Sequence, residues 1–226
     1  MLQEYSSFYI LSTGLGSATL GRDQWEIIMT KFYIARHGQN EDNANFILNG
    51  HRDLPLTALG RDQARQLTAG IKELGLRFDV AYSSPLCRAY ETGEIVCEGL
   101  GLPPPQKEPD LIERHFGVLT GRSINDIEKL VPPEHILKTP TVTYFLEAPE
   151  AEDYPAAVAR AERLLNRLDD RHREGSIILF SHSDIGKTLY SVYYGIPWRD
   201  MLSRFHFGNC ELLVLEPGGD DREHVI

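Results

Sequence analysis

Cysteine is scarce: a chain of 226 residues carries only Cys87, Cys97 and Cys210, with no C-x-x-C spacing among them. That argues against a disulfide framework and against a cysteine zinc site. It makes a reducing cytoplasm the natural setting, with each cysteine a small buried hydrophobe. Positive charge is also in short supply, since 23 Lys and Arg face 33 Asp and Glu, a formal net charge of −10. Nucleic acid and anionic membrane surfaces are therefore poor candidates as main partners. Any phosphorylated ligand must be met by cations gathered locally. Long apolar runs are missing too. The uncharged stretch Tyr5 to Gly21 is rich in Ser, Thr and Gly, too polar and too short for a membrane helix. It also lacks the basic start of a signal peptide, the first cation being Arg22. Repeats, low-complexity tracts and carboxylate clusters of the kind that hold metals are absent.

What is present is an ordinary soluble composition, 42% apolar and 25% charged, long enough to bury a substantial core. Residues 31–216 read as one domain, residues 1–30 as a dispensable extension and residues 217–226 as a loose tail. Phe32-Tyr33-Ile34 is a short run of aromatic and β-branched residues that predicts a buried strand. It stops at Arg36-His37-Gly38. Charge and imidazole at the end of a buried strand are costly unless something there uses them, and in open α/β sheets ligands bind at the carboxyl ends of strands.

The same junction recurs twice. Val80-Ala81-Tyr82 predicts a second strand, followed by Ser83-Ser84-Pro85 and a helix carrying Arg88 one turn in. Ile177 to Phe180 predicts the clearest buried strand, ending in Ser181-His182-Ser183-Asp184 before another helix. Between these, Thr57 predicts an N-cap, with Ala64, Leu67, Ile71 and Leu74 at helical spacing and Gly75 as a stop. Ser123 with Asp126 resembles a capping box, and Val131 to Glu152 reads as an irregular, Pro-rich insertion over one face. A long helix is expected near Tyr154 to Arg173 and a last strand at Leu212 to Leu215. Alternating strands and helices imply a three-layer α/β/α sandwich with a mainly parallel central sheet.

Parallel strand ends share one rim, so Arg36, His37, Arg88, His182 and Asn43 would surround a dianion there. Arginine's planar fork suits phosphate oxygens. A neutral imidazole can attack phosphorus and divide one difficult displacement into two. Glu113 is the carboxylic acid available to protonate a leaving alcohol and later to deprotonate water.

These stretches resemble the histidine phosphatase superfamily, also called phosphoglycerate mutase-like. They are Arg36-His37-Gly38-Gln39 with Asn43, Gly50-His51-Arg52-Asp53-Leu54-Pro55-Leu56-Thr57 with Gly60, Ser83-Ser84-Pro85-Leu86 with Arg88-Ala89 and Thr92, Glu113 with Phe116-Gly117 and Gly121, and Ser181-His182. The resemblance implies His37 as the phosphorylated nucleophile, Arg36, Arg88 and His182 as holders of the phosphoryl group, and Glu113 as acid and base. It implies Asn43, Asn49, Gly50 and Ser183 as substrate contacts, a small phosphorylated metabolite as partner, and neither metal nor cofactor. His51 stays open between a structural loop histidine and a rim role; a homodimer also stays open. Ser183-Asp184 departs from the Gly-Gly or Gly-Asn of many relatives, and Ala151-Glu152-Asp153 from their Gly-Glu-Ser.

Glu113-Arg114-His115-Phe116-Gly117 resembles a stretch of the cofactor-dependent phosphoglycerate mutases. The mutases add a lysine and an Arg-Arg pair beyond it. Here Ile124 stands near the lysine position, and Val131 to Glu152 offers Lys138 but no arginine. The expectation is therefore a phosphatase acting on a phosphosugar or phosphoglycerate-like monoester. A mutase is the alternative, and an idle binding module would have lost His37, Glu113 or His182.

Overall fold

The computed structural model describes residues 28–219. In chain order the elements are β1 (Lys31–Arg36), α1 (Glu41–Ala44), α2 (Ala58–Glu73), β2 (Val80–Ser83), α3 (Cys87–Leu100), β3 (Gln106–Lys107), α4 (Ile127–Leu130), β4 (Ile136–Lys138), β5 (Thr143–Phe145), α5 (Tyr154–His172), β6 (Ser176–Ser181), α6 (Ser183–Tyr193), α7 (Trp198–Arg204) and β7 (Leu212–Leu215). Five strands form the main sheet in the order β3-β2-β6-β1-β7. β1, β6, β2 and β3 run parallel; β7 closes the β1 edge antiparallel.

Strand periodicity of two builds the layers. Phe32 and Ile34 of β1 pack with Leu164, Leu165 and Leu168 of α5 and Ile185 and Leu189 of α6. Tyr33 and Ala35 point the other way, onto Ile71 of α2 and Val96 of α3. The result is the expected α/β/α sandwich, and β1 and β6, at its centre, are apolar on both faces as a buried parallel pair must be.

Several local expectations are refined. Thr57 caps α2 by accepting the Gly60 N–H at 3.0 Å. Arg88 is the second residue of α3, not one turn in, because Leu86 is the N-cap. The Ser123 hydroxyl accepts from the Asn125 N–H and opens a 3₁₀ turn, while Asp126 pairs with Lys129, so no capping box forms. The 131–152 segment is not irregular throughout: β4 and β5 pair as an antiparallel hairpin, Ile136 against Phe145. Helix α7 follows α6 where no separate element was expected.

At the start of the described chain, Ile28 packs against the core, and Thr30 is fully buried with its N–H on Asp169 Oδ1 at 2.8 Å. Residues 1–27 of the expected extension and 220–226 of the expected tail lie outside the described residues. Among the described residues no helix is long and apolar enough to cross a membrane.

Candidate active site

β1, β2 and β6 deliver their carboxyl ends to one rim, and each is followed at once by a polar side chain. The sheet ladder continues one residue past β1, where the His37 N–H donates to the Ser181 carbonyl at 3.0 Å. Gly38 then turns the chain under the N-terminal end of α2. A Cβ there would overlap the Gly60 carbonyl, so only glycine admits this approach. Thr92 of α3 accepts the Gly38 N–H at 3.0 Å, and Asn209 donates to the His37 carbonyl at 2.8 Å. His37 is thus fixed from three directions.

Its ring is 3% exposed. Nδ1–H donates to the Gly38 carbonyl at 2.7 Å, which leaves Nε2 with its lone pair. Arg88 Nε donates to that nitrogen at 3.1 Å. Burial, then the Arg88 and Arg36 charges, hold the His37 pKa well below the usual histidine range. The ring is therefore neutral at pH 7.

Arg88 is fully buried, yet every hydrogen-bond partner it has among the described residues is neutral: Arg52 O at 2.6 Å, Gly50 O at 3.0 Å and His37 Nε2. Arg36 Nη1 likewise donates only to the Phe207 carbonyl, at 2.7 Å. Two guanidinium groups without a carboxylate ion pair form a standing site for an anion.

The His182 ring meets His37 edge-on, centroids 5.1 Å apart. The Ser84 hydroxyl accepts from the Leu86 N–H and sits 2.8 Å from His182 Nε2. The Ser84 hydroxyl can donate to Nε2 or accept from it; as donor, it leaves the ring proton of His182 on Nδ1. That Nδ1 is buried and has no partner, and so is Arg36 Nε; together with Thr120 Oγ1 they are the buried unpartnered side-chain atoms among the described residues.

Glu113 lies at the N-terminal end of α6, where its carboxylate meets the Arg114, Asp184 and Ile185 N–H groups at 2.8, 3.4 and 3.3 Å. Burial and the nearby Asp184 charge outweigh those bonds and raise its pKa to about 7. A carboxyl near neutrality can both give and take a proton. Arg114 is also fully buried, but it is spoken for: Nε pairs with Asp184 at 3.1 Å, and its other nitrogens donate to Glu152 O and Phe145 O. Tyr154 donates to the same Asp184 oxygen at 3.2 Å.

Arg36, His37, Arg88 and Glu113 line a cavity of about 550 Å³ together with Asn43, Asn49 and Ser183, whereas His182, buried against the His37 ring, is not among its lining residues. Gly50 stands behind Arg88, which its carbonyl holds. His51 bonds the Glu113 carbonyl at 2.6 Å and stacks edge-on with His115. Sequence reasoning names Ser84 and Thr92 only within matching stretches, with no role, and passes over Asn209 and the Arg114–Asp184 pair. Arg114 follows Glu113 directly and Asp184 had been noted only as a departure; Ser84, Thr92 and Asn209 act through backbone and ring contacts that no spacing announces. Among the described residues no group of three His, Cys, Asp or Glu side chains is arranged to hold a metal ion.

The chain resembles known proteins over this same region. It is 26% identical over 168 residues to phosphoglycerate mutase-like protein 4 of Arabidopsis thaliana, covering 74% of this chain and 73% of that one. It is 43% identical over 99 residues to the 2,3-bisphosphoglycerate-dependent phosphoglycerate mutase of Parvibaculum lavamentivorans, a match that spans 41% of this chain and only 45% of the mutase. The solved structure of a mycobacterial glucosyl-3-phosphoglycerate phosphatase superposes with a TM-score of 0.69 at 22% identity, covering 81% of this chain and 88% of that one, a likeness of fold. The model of the histidine phosphatase superfamily (branch 1) matches residues 32–225, and the chain belongs to that superfamily.

Proposed function

We propose that the protein hydrolyses small phosphomonoesters through a phosphohistidine on His37. The observation that carries this reading is the pair of buried, unpartnered nitrogens, Arg36 Nε and His182 Nδ1, beside a neutral His37. An orphaned buried donor costs about 1–3 kcal/mol, and a phosphoryl group would satisfy both at once.

On binding, Arg88 redirects its Nε–H hydrogen bond from His37 Nε2 to a phosphoryl oxygen, keeping its proton, which frees the lone pair. Nε2 then attacks phosphorus and the P–O bond to the leaving alcohol breaks. Glu113, protonated, delivers its proton to that oxygen, so the alcohol leaves neutral. Arg36, Arg88 and His182 hold the charge that spreads over the equatorial oxygens. In the second half Glu113 takes a proton from water, the water oxygen attacks phosphorus, and the N–P bond breaks to return neutral His37 and free phosphate. Asn43, Asn49 and Ser183 serve as substrate contacts, and Gly50 acts by fixing Arg88.

Hydrolysis is favoured over the mutase alternative by charge. A mutase must hold a second anionic group. Among the described residues, the one Arg or Lys lining the cavity beyond Arg36 and Arg88 is Arg114, and Asp184 neutralises it.

Incubation with para-nitrophenyl phosphate followed by a rapid quench should trap an acid-labile, alkali-stable phosphoryl label. His37→Ala should remove the label and lower turnover by something on the order of 10⁴–10⁶-fold, the scale on which covalent nucleophiles act. Label that survives in His37→Ala would refute the assignment. Exchange of 3- and 2-phosphoglycerate with negligible phosphate release would establish the mutase instead.

A further inference from the structure

The cavity is chemically divided. Its charged side chains, His206 excepted, are buried or half-buried around His37: Arg36, Arg88, Glu113, Arg114 and Asp184. Its outer wall is different. Phe46, Ile47, Leu48, Ile124, Pro140 and Val142 line it, and the polar groups among them are threonine hydroxyls at 139, 141 and 143. His206 also lines the cavity and is exposed, where solvent screens it.

Two features show that this wall is built rather than left over. Phe46 is 67% exposed and Ile124 38%, so two of the chain's large exposed apolar side chains stand at one cavity mouth. Phe46 also has φ +56, a left-handed backbone that is a genuine outlier for a bulky residue. The chain holds it there: Phe46 N donates to Asn43 O, Ile124 N donates to Phe46 O, and Ile47 bridges Ser123. Strain retained at a ligand mouth, together with an apolar surface left in water, is what a binding wall requires.

We infer that the substrate's organic body is uncharged and largely apolar, an aryl or alkyl group that lies against Phe46 and Ile124 while its phosphoryl group sits at His37. The inference rests on the phosphoryl site proposed above and narrows it. A carboxylate or second phosphate on the body would reach a wall that offers it no cation. An apolar body thereby takes the place of the phosphosugar or phosphoglycerate-like substrate expected from the sequence. The volume, about 550 Å³, lies within the ~300–1,000 Å³ range of small-molecule sites, room for a ring-bearing body beside the phosphate.

The test compares three alkyl phosphates whose leaving groups are all alcohols: 2-phenylethyl phosphate, glycerol 3-phosphate and 3-phosphoglycerate. The expected kcat/KM for 2-phenylethyl phosphate exceeds that for glycerol 3-phosphate by roughly 10–100-fold, the scale of one buried apolar group, with 3-phosphoglycerate lowest. Ile124→Arg, at an exposed position, should lower the first value and raise the last. Equal values for the three, or a preference for 3-phosphoglycerate, would overturn the inference. Calorimetric titration with 2-phenylethylphosphonate and phosphonoacetate decides it independently of turnover. Tighter binding of the phenylethyl compound supports the apolar wall even if none of the esters is hydrolysed, a result that would sink only the phosphatase reading. Tighter binding of phosphonoacetate refutes the wall whatever the rates.

Discussion

The floor and the mouth of the cavity are built from opposite materials. The floor stands on strand ends: His37 follows β1, His182 follows β6, and Arg88 opens α3, each fully or almost fully buried. Its polar atoms are tied to backbone carbonyls or to one another, apart from Arg36 Nε and His182 Nδ1, which are left unpartnered. The mouth stands on the 46–48 and 122–124 loops and the tip of the β4–β5 hairpin, and it is half-buried to exposed; the ion pair beside it, Lys138 with Glu128, is itself exposed. Rigid sheet edges can fix donors to within the tolerance that phosphoryl transfer demands, whereas loops can change chemistry without disturbing the core. Floor residues should therefore govern whether any ester is cleaved, and mouth residues which ester.

The hardest break in that division is Glu113→Gln. A poor alkoxide leaving group needs a proton, and nitrophenolate does not. Cleavage of glycerol 3-phosphate should fall by something on the order of 10²–10⁴-fold, and that of para-nitrophenyl phosphate far less. Equal losses would mean that Glu113 positions the site without donating a proton. Protonated Glu113 is the acid, so wild-type kcat on alkyl phosphates should decline above about pH 7, and Glu113→Gln should lack that limb. The stability sign is the matching one. The folded pKa of Glu113 is raised from 4.5 to about 7, so its contribution is complete below about pH 4.5 and lost as pH rises through 7. Glu113→Gln should gain on the wild type between pH 5 and pH 8, by on the order of 2–3 kcal/mol at most. Thermal unfolding at the two pH values measures it.

Asp184→Asn comes next. It removes the charge that helps hold the Glu113 pKa high and the anion that neutralises buried Arg114. The alkaline limb should move to lower pH, with a stability loss of about 1–3 kcal/mol, smaller than for a fully stranded charge because Arg114 keeps two carbonyls and the Phe145 and Tyr154 rings. A limb that stays in place would show that Asp184 serves Arg114 alone.

Phe46→Ala touches only the mouth. KM for 2-phenylethyl phosphate should rise by about 3–10-fold, the loss of a partly exposed ring contact, while kcat on para-nitrophenyl phosphate changes little. A fall in kcat on every substrate would erase the distinction between floor and mouth. The smallest effect is expected of EDTA, which should leave phosphate release unchanged; a loss restored by Mg²⁺ would contradict the mechanism.

Much of the floor was legible before any coordinates. Arg36-His37-Gly38, Arg88 and His182 each sit just past a hydrophobic run, and parallel strands oblige those ends to meet. The long helices were equally readable, since Thr57 and Gly75 bracket a clean helical period. Short elements were not: β4 and β5 have three residues each, too few to display a period of two. Ser123 with Asp126 carried the local pattern of a cap, and the chain used Ser123 for a tighter turn instead.

The sequence by itself determined the sandwich, the order of its longer strands and helices, and the gathering of two histidines, two arginines and an asparagine at one rim, because burial, periodicity and capping act over neighbouring residues. Only the tertiary structure decided which groups neutralise which. Arg114 and Asp184 lie 70 residues apart and still share an ion pair, and Phe46 owes its place at the mouth to Ile124. Those pairings depend on distance in space and on exclusion of water, and neither is written in the spacing along the chain.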